Sequence, residues 1–188
     1  AAPAPMAGHA HAMGPATGAG GGCGGGGENC PCMAMMAKMD SANVQIAAIN
    51  AMGDIGDTAA VPDLAVVGLD HPDSDIRAAS AVALGKIADP TRVIPALEQA
   101  CLDETPSVRR QAIDAISKQY GSDPERVFAV MVTGLSDFDD RVRESAALAL
   151  ARIQDPRAID SLLQATGDRV ANVRQAAAES LGKLIPTD

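Results

Sequence analysis

The chain has 188 residues, enough for one or two domains. Aromatic residues make up only 2% of it, which argues against a β-sandwich or β-barrel, whereas the apolar share of 47% is ample for a helical core. Its net charge of −9 argues against general binding to nucleic acid or to anionic membranes, and no apolar stretch reaches the roughly 18 residues of a membrane helix.

The composition changes near residue 40. Residues 1–40 contain 10 of the 18 Gly, 6 of the 8 Met and 3 of the 4 Cys. A segment with so few large side chains cannot offset the entropy of ordering itself. We therefore expect a low-complexity, Gly/Met/Cys/His-rich extended arm over residues 1–40 and a folded domain over residues 41–188.

The first residues, Ala1-Ala2-Pro3, are typical of a mature N-terminus left by signal-peptide removal. Cysteines and methionines crowded on an exposed arm are also more at home outside the cytosol. These two features together predict a periplasmic or extracellular location.

A repeat of about 32 residues follows the arm in five copies. The copies align on residues 45, 77, 109, 143 and 174, which we call the anchor positions. A small residue follows each anchor after three residues, a large apolar residue after seven, and a small residue after eight. This spacing predicts a helix whose small residues allow close approach of a neighbouring helix.

A second helix is expected in each of the first four copies. An Asp suited to the N-cap precedes each one, followed in three copies by a Pro suited to the first helical position. In the last of these helices we expect Ile159 and Leu163 to face the core. The four predicted starts are Asp57-Thr58, Asp89-Pro90, Asp123-Pro124 and Asp155-Pro156.

Such hairpins bury a continuous core only when several of them stack. We therefore predict an all-α fold, a right-handed α-solenoid of about four and a half helical hairpins preceded by the extended arm. Four hairpins and one terminal helix make nine helices over residues 41–186.

The repeat resembles the HEAT-like repeats of the phycobilisome-lyase type, with the pattern D-x-x-V-R-x-x-A-A-x-A-L-G-x-I followed by D-P. The resemblance covers residues 41–186 and is clearest from Asp73 to Pro90, which includes Ile76-Arg77 and Leu84-Gly85-Lys86-Ile87. In the first copy Gln45 replaces the anchor arginine, as expected of a capping repeat. The resemblance implies protein–protein interaction and, less directly, bilin-lyase-like attachment of a chromophore.

Arginine occupies the other four anchor positions, and an aspartate precedes each one in the preceding turn. We expect these pairs to join successive repeats and cap loops rather than to form a basic binding stripe. The pairs are Asp70 with Arg77, Asp103 with Arg109, Asp137 with Arg143 and Asp168 with Arg174.

The arm carries side chains suited to a soft metal. Thiolate and thioether ligands favour Cu(I), and a Cu(I) site could use Cys30, Cys32 and a Met. Zinc could instead take three cysteines and a His. Cys32, Met36 and Met39 share one face if they begin a helix. The candidate ligands are His9, His11, Cys23, Cys30, Cys32, Met36 and Met39.

Three alternatives to a metal site stay open for the arm. The cysteines can form disulfides, since four Cys allow three pairings. The methionines can form an adaptable apolar docking face. The arm can also be a passive linker.

No pairing of a nucleophile with a base is visible in the repeats. His71 is their only histidine, for which we expect a solvated loop position, and Cys101 is expected to be a small core residue. We therefore predict a protein that is not an enzyme. It is an interaction scaffold and a subunit of a larger extracytoplasmic assembly, such as a redox complex or filament. The arm would anchor it to other protein subunits in a homo- or hetero-oligomer. The alternative is a copper-binding or copper-delivery protein.

Overall fold

The computed structural model describes residues 31–184, with side chains from residue 41 onward. In this part of the chain nine α-helices follow one another and no strand occurs. A 3-10 turn at Thr58–Ala60 and a π-helical turn at Leu64–Gly68 flank the short second helix and complete its hairpin. The helices are α1 (Pro31–Ile55), α2 (Val61–Asp63), α3 (Ser74–Leu84), α4 (Pro90–Ala100), α5 (Pro106–Ser117), α6 (Pro124–Gly134), α7 (Asp140–Ile153), α8 (Ala158–Ala165) and α9 (Ala171–Leu184).

The helices form four hairpins and a final single helix. The first helices of the repeats, α1, α3, α5, α7 and α9, pack side by side in chain order. The second helices α4, α6 and α8 also pack against the first helix of the next repeat. Within residues 31–184 the extensive contacts between helices all lie within one repeat or between neighbouring repeats, so the arrangement is an α-solenoid and the predicted fold class is confirmed.

One face of each first helix packs toward the preceding repeat. This face consists of the residue directly before the anchor and the residues three, six and ten positions after it. We call these four residues the N-facing stripe. In α3 the stripe residues are no more than 3% exposed, and in α5, α7 and α9 its first three residues are no more than 1% exposed. For α3 the stripe consists of Ile76, Ser80 and Ala83 within the helix and Ile87 in the turn that follows it.

Glycines allow the first helices to approach closely. A Cβ atom built on Gly53 in α1 would lie 2.7 Å from the Cα atom of Ala83 in α3. A Cβ built on Gly85 would lie 2.9 Å from the Cα atom of Ala115 in α5. Both distances are too short for real atoms, so these small residues eight positions after the anchor set the spacing between repeats.

Aspartate caps the second helices α4 and α6 as the sequence predicts, and in the first repeat it caps the 3-10 turn that precedes α2. The carboxylate of Asp57 accepts a hydrogen bond from the N–H of Ala59. Asp89 and Asp123 accept from the backbone N–H groups three residues further on. These bonds satisfy donors that have no partner within the helix.

The fourth second helix differs from the prediction. Asp155 caps a tight turn in which the N–H of Ala158 donates to the Asp155 carbonyl, and α8 begins only at Ala158. Because of this turn, the buried positions of α8 come one residue earlier after the aspartate than those of α4 and α6. Ala158 and Leu162 are therefore fully buried, while Leu163 is 53% exposed and Ile159 is half-buried. Ile159 packs partly against the core, but the expectation that Leu163 also faces the core was wrong.

The first helix takes in residues 31–40, which the composition placed in the arm. These ten residues contain no glycine and are rich in Ala and Met, which favour helices, and Pro31 suits the first helical position. Gly56 ends α1 in the left-handed conformation with φ +70°. Residues 1–30 of the expected extended arm lie outside the described residues, and the domain division at residue 40 stays a prediction.

Candidate functional site

A ladder of ion pairs joins consecutive repeats along one edge of the solenoid. The Nε and Nη2 atoms of Arg77 donate to the two carboxylate oxygens of Asp103, at 2.8 and 3.0 Å. Both side chains are about nine-tenths buried, so this two-bonded geometry holds the second and third repeats together. The same pairing recurs at 2.7–2.8 Å in Arg109–Asp137 and at 2.7–3.0 Å in Arg143–Asp168.

Each ladder arginine also binds the loop before its own helix. The Nη1 atom of Arg77 donates to the carbonyls of His71 and Pro72, at 2.9 and 3.2 Å. The Arg109 guanidinium likewise reaches the Asp103 carbonyl, while the Asp103 carboxylate belongs to Arg77. The predicted pairing of each arginine with the carboxylate just before it was therefore wrong, although the pairs do join successive repeats.

The ladder keeps its carboxylates charged. Burial disfavours the charged form of Asp103, but hydrogen bonds from Arg77 and from the Thr105 N–H outweigh it, so the pKa of Asp103 lies below its ordinary value. The pKa of Asp137 is lowered in the same way by Arg109. At Asp168 the hydrogen bonds from Arg143 are the main cause of the lowered pKa.

The two ends of the ladder depart from this pattern. At the N-terminal end Gln45 stands at the anchor, and His71 stands where later repeats have the paired aspartate. The half-buried His71 accepts a hydrogen bond from the Asp73 N–H at its Nδ1, 3.0 Å away. At the C-terminal end Arg174 is exposed and donates to the Asp168 carbonyl at 2.9 Å, with no carboxylate partner among residues 41–184.

An open groove of about 1070 Å³ runs across the first helices of the last three repeats. Charged side chains of both signs line it, including Arg110 and Asp114 from α5, Glu144 and Arg152 from α7, and Lys183 from α9. Arg152 pairs with Asp114 at 2.7 Å, which helps to lower the pKa of that carboxyl against the effect of burial.

The remaining groove charges are available to a ligand. Arg110, Glu144 and Lys183 take part in no ion pair within the part of the chain whose side chains are described. These three residues were not among the candidates predicted from the sequence. The signal was present, because Arg110 and Glu144 each directly follow an anchor arginine and so recur on the same face of successive first helices.

The predicted metal ligands fall in two groups. His9, His11, Cys23 and Cys30 lie outside the described residues. Cys32, Met36 and Met39 lie in α1, where their spacing places them on one face of the helical backbone. Among the side chains that are described, no group of three His, Cys, Asp or Glu is arranged to hold a metal.

Cys101 lies at the end of α4 and packs against the core. Burial, with a smaller contribution from Glu98, raises the pKa of its thiol to about 12. The thiol is therefore almost fully protonated at neutral pH, which makes it a poor nucleophile and a poor metal ligand.

Comparison with known proteins shows repeats of one family along most of the chain. The family of HEAT repeats matches residues 33–117 and 128–187. No curated protein sequence matches the chain significantly.

Solved structures share the fold. The chain is similar to human deoxyhypusine hydroxylase in complex with glycerol, at 21% identity and a TM-score of 0.53, over 77% of this chain and 46% of that one. It is similar to the complex of CpcE and CpcF of phycocyanin lyase from Nostoc sp., at 20% identity and a TM-score of 0.56. That match covers 76% of this chain and 59% of the other. It is also similar to a designed armadillo repeat protein, at 20% identity and a TM-score of 0.50, over 74% of each chain.

These likenesses show the fold alone, because all three identities are near 20%. The chain spans about half the length of the first two structures, 46% and 59%. Within residues 31–184, none of the helices combines the length and the apolar character that crossing a membrane requires.

Proposed function

Because the chain belongs to the HEAT-repeat family, we propose that it is a non-enzymatic scaffold that binds other protein subunits in a larger extracytoplasmic assembly. The main support is the groove across α5, α7 and α9. It is partly open to solvent and lined by charges of both signs, as suits a segment of another protein.

The spacing of the groove helices fits an extended polypeptide. Packed helices lie about 8–10 Å apart, and an extended chain advances about 3.3 Å per residue. A peptide laid along the groove therefore meets a new helix about every third residue. Arg110 on α5 and Glu144 on α7 would select acidic and basic residues at that interval.

Photo-crosslinking in the source organism tests this proposal. A crosslinker placed at Arg110 or Glu144 should capture one defined protein, and one at the exposed Ala129 on α6 should not. The charge reversal Arg110→Glu should abolish the capture by a crosslinker at Glu144. Equal capture from the groove and from Ala129, or capture unaffected by the reversal, would reject the groove as the binding site.

We assign the anchoring of the scaffold in its assembly to the N-terminal segment. The start of α1 at Pro31 indicates where to separate the segment from the helices, since a cut at residue 40 would remove ten residues of α1. The chain lacking residues 1–30 should keep its helical circular dichroism and lose its place in the native assembly. Normal assembly of the shortened chain would contradict this role.

A copper-binding protein is a second candidate, supported by the helical backbone that carries Cys32, Met36 and Met39 on one face. Metal analysis of protein isolated without added metal should then find copper, and the double change Cys30→Ser with Cys32→Ser should remove it. Cys101→Ser is the matched control and should leave copper bound. Zinc in place of copper, disulfides at Cys30 and Cys32, or free thiols without metal would each exclude this candidate.

A further inference from the structure

The first helix exposes the face that every later repeat buries. The N-facing stripe of α1 consists of Val44, Ala48, Ala51 and Ile55, and all four are exposed, Val44 by 67% and Ile55 by 77%. The counterparts of Val44 in the four later repeats are at most 3% exposed, and the counterparts of Ala51 at most 1%. The apolar residues of α1 therefore match a helix that packs on a preceding repeat.

The last helix exposes the opposite face. Ala178, four residues after its anchor, is exposed, whereas Ile49, Ala81, Ile113 and Ala147 at this position are at most 8% exposed. A Cβ built on Gly182 would meet nothing within 4 Å. The equivalent glycine of the first repeat, Gly53, lies against α3. Among the described residues, α9 thus has the space for a following helix without the helix itself.

Charge at the two ends is also complementary. Nine residues after the anchor, Asp54 of the first repeat pairs with Lys86 of the second at 2.6 Å. Lys183 occupies this position in the last repeat. An α1 helix stacked on α9 would bring Asp54 next to Lys183. Glu179, one turn before Lys183, repels Asp54, so the pair would set the register and add little affinity.

We propose that the N-facing stripe of α1 in one copy of the chain packs on α9 of a second copy, so that chains join head to tail and continue the solenoid. Ala51 of one copy then lies opposite Gly182 of the other. This is the relation that Ala83 has to Gly53, and Ala115 to Gly85, within the chain.

This inference goes beyond the scaffold function, because it uses Lys183 at one end of the groove but not Arg110 or Glu144, which would select the bound peptide. The two contacting surfaces differ, so the association is not closed by two-fold symmetry. A contact of this kind adds chains in a line and produces open oligomers whose length rises with concentration.

Three matched alanine-to-glutamate changes test the contact in the full 188-residue chain. Ala51→Glu blocks the α1 surface, Ala178→Glu blocks the α9 surface, and Ala129→Glu on α6 is the control. All three positions are exposed and helical, and glutamate is a good helix former, so each variant should fold. Circular dichroism checks this, and Val44→Glu provides a second α1 variant.

Analytical ultracentrifugation gives the readout. The wild-type chain and Ala129→Glu should grow beyond the 19.1 kDa monomer as concentration rises. Ala51→Glu and Ala178→Glu should each stay monomeric, with association weakened about 100-fold or more by an unpaired charge in the contact. An equimolar mixture of the two should form a complex of two chains, because each retains the surface that the other lacks.

Several results would overturn the proposal. A wild-type chain that stays monomeric at every attainable concentration would show that the α1 face is covered by another part of the same chain or is not used. Self-association that survives in Ala178→Glu and disappears in Ala51→Glu would show a symmetric contact between two α1 faces. A mixture of the two blocked variants that remains monomeric would exclude the head-to-tail arrangement.

Discussion

Each ladder arginine divides its guanidinium between two repeats. One edge of Arg109 donates two hydrogen bonds to the Asp137 carboxylate, and the remaining Nη1 donates to the carbonyls of Asp103 and Glu104. The fixed fork of an arginine can hold both sets of acceptors, which the single ammonium of a lysine cannot. One side chain therefore connects two loops that belong to different repeats.

We expect Arg109→Ala to lower the free energy of unfolding by about 2–4 kcal/mol, because it leaves the Asp137 carboxylate, whose side chain is only 14% exposed, without its cation. Arg174→Ala is the matched control at an exposed anchor and should cost about 0.5 kcal/mol or less. Urea unfolding of both variants measures the difference. Similar losses at the two positions would show that the pairing between repeats contributes nothing.

Cys101 should react slowly with alkylating reagents in the folded chain. Its pKa of about 12 leaves almost no thiolate at pH 7–8. We expect mass spectrometry to show alkylation by iodoacetamide at least about 10-fold slower in the folded chain than in urea at the same pH. Equal rates would mean that the end of α4 does not shield the thiol.

At the scale of helices, the small residue eight positions after the anchor controls how closely repeats pack. Gly53→Ala should destabilise the chain by about 1–3 kcal/mol, because its new methyl group would overlap Ala83 in α3. Gly182→Ala in α9 meets open space and should stabilise by up to about 1 kcal/mol through helix propensity. Urea unfolding at low protein concentration compares them, and a stabilising Gly53→Ala would contradict the close packing.

The first helices could be predicted because their residues repeat in one register with one spacing. Large and small residues occupy fixed positions after each anchor, and helix periodicity alone converts them into a buried face. The phase of α8 could not be predicted in this way. It depends on a tight turn that Asp155 stabilises through the Arg157 N–H, and an Asp-Pro pair does not distinguish such a turn from a helix start.

The candidate site was less predictable, because its contacts join residues far apart in sequence. The carboxylate of Asp103 is six residues from Arg109 but pairs with Arg77, 26 residues away. The repeat spacing is compatible with either partner, and only the stacking of the repeats selects one. The groove likewise requires three first helices to lie side by side before its charges form one surface.

At the scale of the whole molecule, the ladder makes stability depend on pH. The pKa values of Asp103, Asp137 and Asp168 are lowered in the folded chain, so the unfolded chain binds more protons in acid. Their contribution is complete well above the ordinary aspartate pKa of about 3.9 and is lost as pH falls through the lower folded values. We expect the free energy of unfolding to be nearly constant from about pH 5 to 7 and to fall below about pH 4.

Asp137→Asn provides the control for this pH dependence. The variant should be less stable at neutral pH and should lose less additional stability on acidification, because one of the three linked carboxylates is absent. Urea unfolding at several pH values measures both effects. A pH profile identical in shape to that of the wild-type chain would contradict the linkage.

The ladder also gives the solenoid a direction of easy bending. Its hydrogen bonds are short and directional, so the edge that holds Arg77, Arg109 and Arg143 resists stretching. Elsewhere the repeats are joined by apolar contacts, which are not directional, and by more exposed ion pairs such as Lys86–Asp54 and Arg152–Asp114, which contribute little. Under tension we therefore expect the repeats to separate on the side opposite the ladder, while the length of the ladder edge stays nearly constant.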